Sequence, residues 1–232
     1  MNPNPEFDRY ASDYEELLRD PMRDRFTRNS DFFHRRKWLL LADFLRRHSL
    51  NPAGMRWLDA GCGKGELLGY GRPHFARVDG CDLSGEMVRH AAGFDVHLQT
   101  APDRLPFGDG AFDLVTAVCV YHHVEEAHRV PLTREIERIL KPGGIFCMIE
   151  HNPYNPITRL IVSRTPVDAG AHLLTRRQAA AYSRQAHMPP VESSYFLYLP
   201  ETLYAKLPAA ESLLRKLPLG GQYALFARKD RH

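Results

Sequence analysis

The sequence lacks a leader-like apolar core. Its first ten residues, MNPNPEFDRY, are polar, and no apolar run along the chain approaches a membrane span. A soluble, cytoplasmic protein without stable membrane association is therefore expected. Cysteine is scarce: Cys62, Cys81, Cys119 and Cys147 show no C-x-x-C spacing. They are expected to be reduced, buried thiols rather than a disulfide framework. Charge of one sign is also missing. The 31 Lys and Arg against 28 Asp and Glu leave only +3, which gives no reason to expect a nucleic-acid partner. Arg35-Arg36-Lys37 is a short basic group, expected to form a solvated helix face. Internal repeats and low-complexity segments are absent as well.

What is present fits one α/β domain. The chain has 232 residues, 44% of them hydrophobic, enough for a sizeable core. Residues 1–5 are Pro/Asn-rich and expected to be disordered. Residues 1–50 read as an N-terminal helical cap, 51–150 as a core and 151–232 as a lid with edge strands. Strands are expected at 55–60, 77–82, 95–100, 112–120 and 145–149, with helical stretches between them. That alternation argues for a doubly wound, mainly parallel sheet with helices on both faces. Pro131 is expected at the first position of its helix. Thr175 and Gln178 have capping-box spacing. The last two strands, 191–199 and 222–228, with a short connection, suit an antiparallel pair at the sheet edge.

The most informative stretch is Trp57-Leu-Asp-Ala-Gly-Cys-Gly-Lys-Gly65. An apolar strand ends in Asp59, and glycines allow a tight turn and close approach to a ligand. A second acid, Asp82, ends the next strand, where a carboxylate can hold both hydroxyls of a ribose. The dinucleotide fingerprint is G-x-G-x-x-G. Here the spacing is G-x-G-x-G, and no phosphate-binding Lys followed by Ser or Thr is present. The loop suits adenosine without phosphates better than pyrophosphate.

LDAGCGKG, then CDLS, LPFGDGAFDLVTAVCVYHH and LKPGG, in this order, resemble class I S-adenosylmethionine-dependent methyltransferases of the type 11/12-like, small-molecule group. The resemblance is strong over residues 55–150 and weaker over Phe7–Tyr14 and the closing GGQYALFARK. It implies a Rossmann-like seven-stranded sheet with an antiparallel last strand, and S-adenosylmethionine as cofactor. It implies that Asp59, Ala60 and the loop Gly61, Cys62, Gly63 and Gly65 surround the methionine moiety and ribose. Asp82 would bind the ribose hydroxyls, with Leu83 against the adenine. Thr100 and Ala101 would lie at the adenine edge. Relatives often carry Asp-Ala there. The matching pair here is Ala101-Pro102, so Thr100 or Asp103 would have to substitute. Backbone at Val118-Cys119 would meet the cofactor's amino group. Tyr14 would close over the cofactor and Tyr10 over the acceptor, unless both simply pack.

Methyl transfer from a sulfonium needs alignment, and a hydroxyl acceptor gains from a base. His122 and His123 follow the fourth strand, and His151 follows the fifth within Glu150-His-Asn-Pro-Tyr-Asn-Pro156. Any of the three can serve near neutral pH. Asn152, Tyr154 and Asn155 of the same segment are candidates for acceptor contact. No metal is expected: Glu125, Glu126 and His128, near His122 and His123, read as solvated. Residues 152–172 and 189–218 read as a Tyr-rich lid, with Tyr154, Tyr182, Tyr195, Phe196, Tyr198 and Tyr204. Such a lid suits a small, partly apolar acceptor, so O-methylation of a phenolic or sugar-derived hydroxyl is expected. N- or C-methylation, a catalytically silent relative and a nicotinamide-dependent reductase are the alternatives. Leu213–Leu219 could touch a membrane surface, although ordinary packing is favoured.

Overall fold

The computed structural model describes residues 5–231, so most of the stretch expected to be disordered lies outside the described residues. Four helices come first: α1 (Pro5–Tyr10), α2 (Tyr14–Leu17), α3 (Pro21–Phe26) and α4 (Asp31–Arg47). Asp20 accepts from the amides of Met22 and Arg23 and so caps α3. Phe32, Leu41, Phe44 and Leu45 form the buried stripe of α4.

Strands and helices then alternate: β1 (Arg56–Ala60), α5 (Glu66–Gly71), β2 (Arg77–Asp82), α6 (Gly85–His90), β3 (Asp95–Leu98), β4 (Phe112–Val118), α7 (Glu126–Ile139) and β5 (Leu140–His151). After them come α8 (Pro156–Val162), α9 (Arg176–Gln185), β6 (Pro190–Phe196), α10 (Glu201–Lys206), α11 (Pro208–Leu214) and β7 (Gln222–Arg228). The sheet order is β3-β2-β1-β4-β5-β7-β6. β1 to β5 run parallel, and β7 is antiparallel to both β5 and β6. The expected Rossmann-like sheet is therefore what the chain builds.

Alternation along the strands puts one core on each face. Leu58, Val115, Phe146 and Leu225 pack with Ile136 of α7 and Ala179 of α9. Trp57, Leu114, Cys147 and Phe226 pack with Phe44 of α4 and Leu68 of α5. Chain order reverses between β1 and β4, and a crevice opens at their carboxyl ends.

Several expectations are corrected. Pro131 lies inside α7, which begins at Glu126; the turn before it winds as helix, so one mid-helix amide bond is forgone. β6 and β7 do form the expected antiparallel pair at the sheet edge, with β7 inside and β6 outermost, but residues 197–221, carrying α10 and α11, make their connection long rather than short. The Arg35-Arg36-Lys37 group is not a solvated face. Arg35 is exposed, but Arg36 is 6% and Lys37 8% exposed. Arg36 pairs with Glu211 and lies over the Tyr204 ring, 3.5 Å from its centroid. Cys119 is half-buried, whereas the other three cysteines are buried. Leu213, Leu217 and Leu219 are exposed, and no described helix is long and apolar enough to cross a membrane.

Gly71 ends α5 against the fully buried Trp57. A Cβ there would stand 2.0 Å from Trp57 Cζ3, whereas one at Gly54 meets nothing within 4 Å. Gly71→Ala is expected to cost about 1–3 kcal/mol by overpacking, with Gly54→Ala near neutral. Urea unfolding of the two variants checks the contrast.

Candidate active site

A cavity of about 790 Å³ lies over the carboxyl ends of the central strands. Phe7, Tyr14, Phe26 and Phe33, from α1 to α4, form its aromatic wall. The expected aromatic lid is largely elsewhere. Tyr182, Tyr195 and Phe196 are buried in the core, Tyr204 packs on Phe32 and Arg36, and only Tyr198 of that set lines the cavity. Tyr14 is where the resemblance implied it, but Phe7, Phe26 and Phe33 were not expected, because their placement depends on how the N-terminal helices fold over the sheet.

Asp59, Ala60, Gly61, Cys62 and Gly63 line the cavity, as do Asp82, Leu83, Cys119 and Tyr14. Gly61 has φ +73°, and a Cβ there would stand 2.5 Å from Val120 Cγ2. Only glycine lets the loop lie this close to the end of β4. Asp82 accepts from the amides of Gly63 and Ser84, each at 2.9 Å. Each of its oxygens keeps a lone pair for a ligand. Asp59 is held from below: Trp57 Nε1 donates to Thr116 Oγ1 at 2.9 Å, and that hydroxyl donates to Asp59 Oδ1 at 2.5 Å. Burial pushes the Asp59 carboxyl up to about 7, against the pull of the Thr116 bond.

Three residues expected on this side do not line the cavity. Gly65 is buried at the start of α5, where its φ of +82° serves the turn. Thr100 is exposed, and Ala101 bridges to Arg104. Gln99 and Pro102 line the cavity instead, and Gln99 Nε2 is engaged with the Ala101 carbonyl at 2.7 Å.

The three histidines come together. His122, His123 and His151 line the cavity, with the His122 ring 4.1 Å from His123 and 5.0 Å from His151, centroid to centroid. Two carboxylates hold the group. Glu150, fully buried, accepts from the amides of Val120 (3.0 Å) and Tyr121 (2.7 Å) and from His122 Nδ1 (2.5 Å). Asp168, on the turn Pro166–Asp168, lies 3.4 Å from His122 Nε2 and 3.5 Å from His123 Nε2. Neither Glu150 nor Asp168 was singled out as catalytic from the sequence. Glu150 was visible beside His151, but Asp168 sits in a stretch without pattern.

Burial works against charge on His122, but Glu150 and Asp168 outweigh it and hold the imidazole near 10. Burial, then the His122 charge, lowers His123 to about 3 and His151 to about 4. His122 is thus the imidazolium of the set, and the other two are neutral at pH 7. His122 Nε2, His123 Nε2 and Asp168 Oδ1 lie within 4.8 Å of one another, close enough to share a cation. A proton on His122 already supplies positive charge there. Glu125 and Glu126 are exposed, and His128 bonds Asp103 at 3.0 Å.

The remaining acceptor candidates are split. Asn155 lines the cavity and caps α8, accepting from the Thr158 amide at 2.9 Å. Asn152 is fully buried, donating to the carbonyls of Pro218 and Gly220 and accepting from the Tyr154 amide. Its amide is used up by the turn, so it has no free group for an acceptor. Tyr154 is 60% exposed and does not line the cavity, nor does Tyr10, which packs edge-on to Phe7.

These charges predict a stability optimum. His122, raised in the fold, contributes stability that is complete below about 6.5 and lost as pH rises toward 10. His123 and His151, lowered in the fold, cost stability as pH falls below about 6.5. Thermal unfolding across pH 4–10 is expected to show a maximum near 6.5. Glu150→Gln leaves His122 without its buried partner and is expected to cost about 3–5 kcal/mol near that optimum. It should also flatten the alkaline limb. Separately, Asp82→Asn is expected to weaken S-adenosylhomocysteine binding by about 1–3 kcal/mol, read by calorimetry.

Residues 58–148 match the model of the methyltransferase domain family Methyltransf_11. A tRNA (carboxymethyluridine(34)-5-O)-methyltransferase of Arabidopsis thaliana is 34% identical over 139 residues, 57% of this chain and 32% of that protein. A ubiquinone biosynthesis O-methyltransferase of Sodalis glossinidius is 30% identical over 141 residues, 51% of this chain and 56% of that protein. The chain thus spans about half or less of the length of these curated relatives. Among solved structures, a putative methyltransferase complexed with the Haloferax volcanii Trm112 methyltransferase activator superposes with a TM-score of 0.65. It is 20% identical, over 97% of this chain and 98% of that one. With the glycine loop, the two acids and the sheet order in place, the chain carries a class I S-adenosylmethionine-dependent methyltransferase domain.

Proposed function

We propose that this protein transfers the methyl group of S-adenosylmethionine to a hydroxyl of a small molecule, phenolic or sugar-derived. The observation that carries the reading is the cluster of three histidines and two carboxylates in the cavity wall. Its inventory at neutral pH is Glu150 and Asp168 ionised, His122 cationic, His123 and His151 neutral. The net charge is one negative, so the cluster can take one proton. A cavity walled by Phe7, Tyr14, Phe26 and Phe33 supports a small, partly apolar acceptor. The name of the Sodalis relative is consistent with such chemistry. The name of the Arabidopsis relative favours a second reading, a hydroxyl or acid of a modified nucleotide.

The residues fit the cofactor. Asp82 offers both oxygens to the two ribose hydroxyls, Leu83 offers an apolar face to the adenine, and the Gly61–Gly63 loop leaves room for the thioether end. When bound, the cofactor supplies an activated methyl on a sulfonium. Asp59 and the backbone at Cys119 would hold its amino group, and Tyr14 would cover it. His123 and His151 are both half-buried imidazoles of the cluster, and His151 is assigned as the group that would receive the acceptor's proton. The ionised Glu150 and Asp168 would stabilise the imidazolium so formed on His151. The aromatic wall excludes water.

His151→Ala is expected to lower kcat by roughly 10²–10⁴-fold while leaving S-adenosylhomocysteine affinity nearly unchanged. In the unaltered protein kcat/KM is expected to fall as pH drops toward about 4, where His151 takes up a proton. Labelled methyl transfer, screened over phenols, sugar-derived alcohols, amines and bulk tRNA, tests the acceptor class. Turnover confined to RNA or protein sinks the small-molecule reading, and an unaffected kcat in His151→Ala removes the assigned base.

A further inference from the structure

Of the eleven large apolar side chains exposed among the described residues, eight lie on two stretches, 154–160 and 203–219. Single exposed leucines are ordinary, but such a concentration marks an interaction surface. The first stretch supplies Tyr154, Ile157 and Leu160. The most exposed of the second are Leu213, at 85%, and Leu219, at 61%. The two stretches are fastened side by side. Asn152 Nδ2 donates to the carbonyls of Pro218 and Gly220, and Asn155 Nδ2 donates to that of Leu219 at 2.6 Å. Thr158 Oγ1 donates to the Gly221 carbonyl at 3.0 Å. Leu219 is therefore held beside Asn155, which stands between Tyr154 and Ile157 in the chain.

The exposed charge of this face has one sign. Arg159, Arg164, Lys206, Arg215 and Lys216 are exposed, and no ion pair reaches them among the described residues. Glu211 is the one acid within residues 154–164 and 202–219, and it is buried against Arg36. Glu201, beside the second stretch, is engaged by Thr27 Oγ1 at 2.6 Å and by Arg35 at 3.5 Å. The face also reaches the cavity: Ile157 is exposed, yet it lines the cavity with Asn155 and Ile161.

We propose that residues 154–164 and 203–219 form a docking face for an anionic lipid bilayer, which holds the opening of the cavity against the leaflet. Aliphatic side chains among unpaired Lys and Arg suit a bilayer interface. The apolar groups enter the acyl boundary, and the cations meet the headgroups. Such contact is peripheral and reversible, and it needs no spanning helix, which none of the described helices provides. Charge selects this occupant. A second copy of the chain would bring five unpaired cations against five across a symmetric contact. A nucleic acid would find Tyr154 as the one exposed aromatic of the two stretches on which to stack a base. The face is read from exposure and charge alone. It goes beyond the assignment of the acceptor, because vesicle binding needs no turnover.

The test is co-sedimentation of the full chain with vesicles of phosphatidylcholine alone and of phosphatidylcholine mixed with phosphatidylglycerol. The unaltered protein is expected to sediment with the anionic vesicles, and less so as salt screens the cations. With phosphatidylcholine alone it is expected to stay largely in solution. Leu213→Ser with Leu219→Ser, and Arg215→Ser with Lys216→Ser, alter exposed side chains only. Each pair is expected to lower partitioning onto anionic vesicles by roughly 10-fold or more, with Tm unchanged. Arg46→Ser with Arg89→Ser removes the same charge from exposed sites on α4 and α6, and this pair is expected to bind like the unaltered protein. An equal loss in that distant pair overturns the proposal. Failure to sediment with any vesicle also overturns it and leaves the face to a protein partner. So does a dimer that the leucine pair dissolves, seen by analytical ultracentrifugation, or binding of bulk tRNA in place of vesicles.

Discussion

Glu150 is a carboxylate with no exposure at all, at the end of a strand whose neighbours are apolar. Such a charge is tolerable inside a protein only with a full set of donors. It has three: the amides of Val120 and Tyr121, and His122 Nδ1. Those contacts tie the end of β5 to the turn that leaves β4. Because the amide of Cys119 also bonds the Ile149 carbonyl at 2.8 Å, the two strand ends are locked together where the cavity opens. The lock fixes the His122 ring, gives it a proton, and leaves His123 and His151 neutral beside it. Much of what the cluster can do chemically follows from that one buried charge.

A second buried chain serves the other half of the cavity. Trp57, Thr116 and Asp59 bond in series across β1 and β4, so the first acid of the glycine loop is set by the core rather than by solvent. Asp82 is instead set by the backbone of the loop it faces. One acid is thus placed by side chains beneath it and the other by amides around it, and both end up on the same wall. Ser84 extends this order: it caps α6 and donates to Asp8 of α1 at 2.6 Å. The N-terminal helices are therefore tied to the β2 end as well as to the hydrophobic face under α4.

The central strands and the glycine loop were legible because their signals are local. A strand ending in Asp59, a loop needing φ above zero and a second acid at Asp82 are read from short stretches with fixed spacing. Thr175 and Gln178 form the capping box their spacing implies. What failed depended on contacts far apart in sequence. Pro131 was read from its own preference, but the helix began one turn earlier. Asn152 looks like a polar group at a strand end, and only the return of residues 218–220 over it shows that its amide is consumed. The tyrosines of the last third looked like a lid because aromatic residues can pack or face a ligand, and composition does not say which.

Arg36 and Lys37 show the same limit at the scale of one helix turn. Adjacent positions on α4 point about 100° apart, so a basic pair cannot share one environment. Arg36 turns toward the late connection, where Glu211 receives it and also accepts the amides of Tyr198 and Leu199. That pairing fastens α11 and the chain after β6 to the first long helix. Lys37 turns toward the cavity, where no carboxylate of the described residues pairs with it. Arg36 therefore acts within the scaffold, while Lys37 lies on the cavity wall. A run of three basic residues thus divides into a solvated, a structural and a cavity-facing charge. The division is set by which partner each meets after folding, not by the run itself.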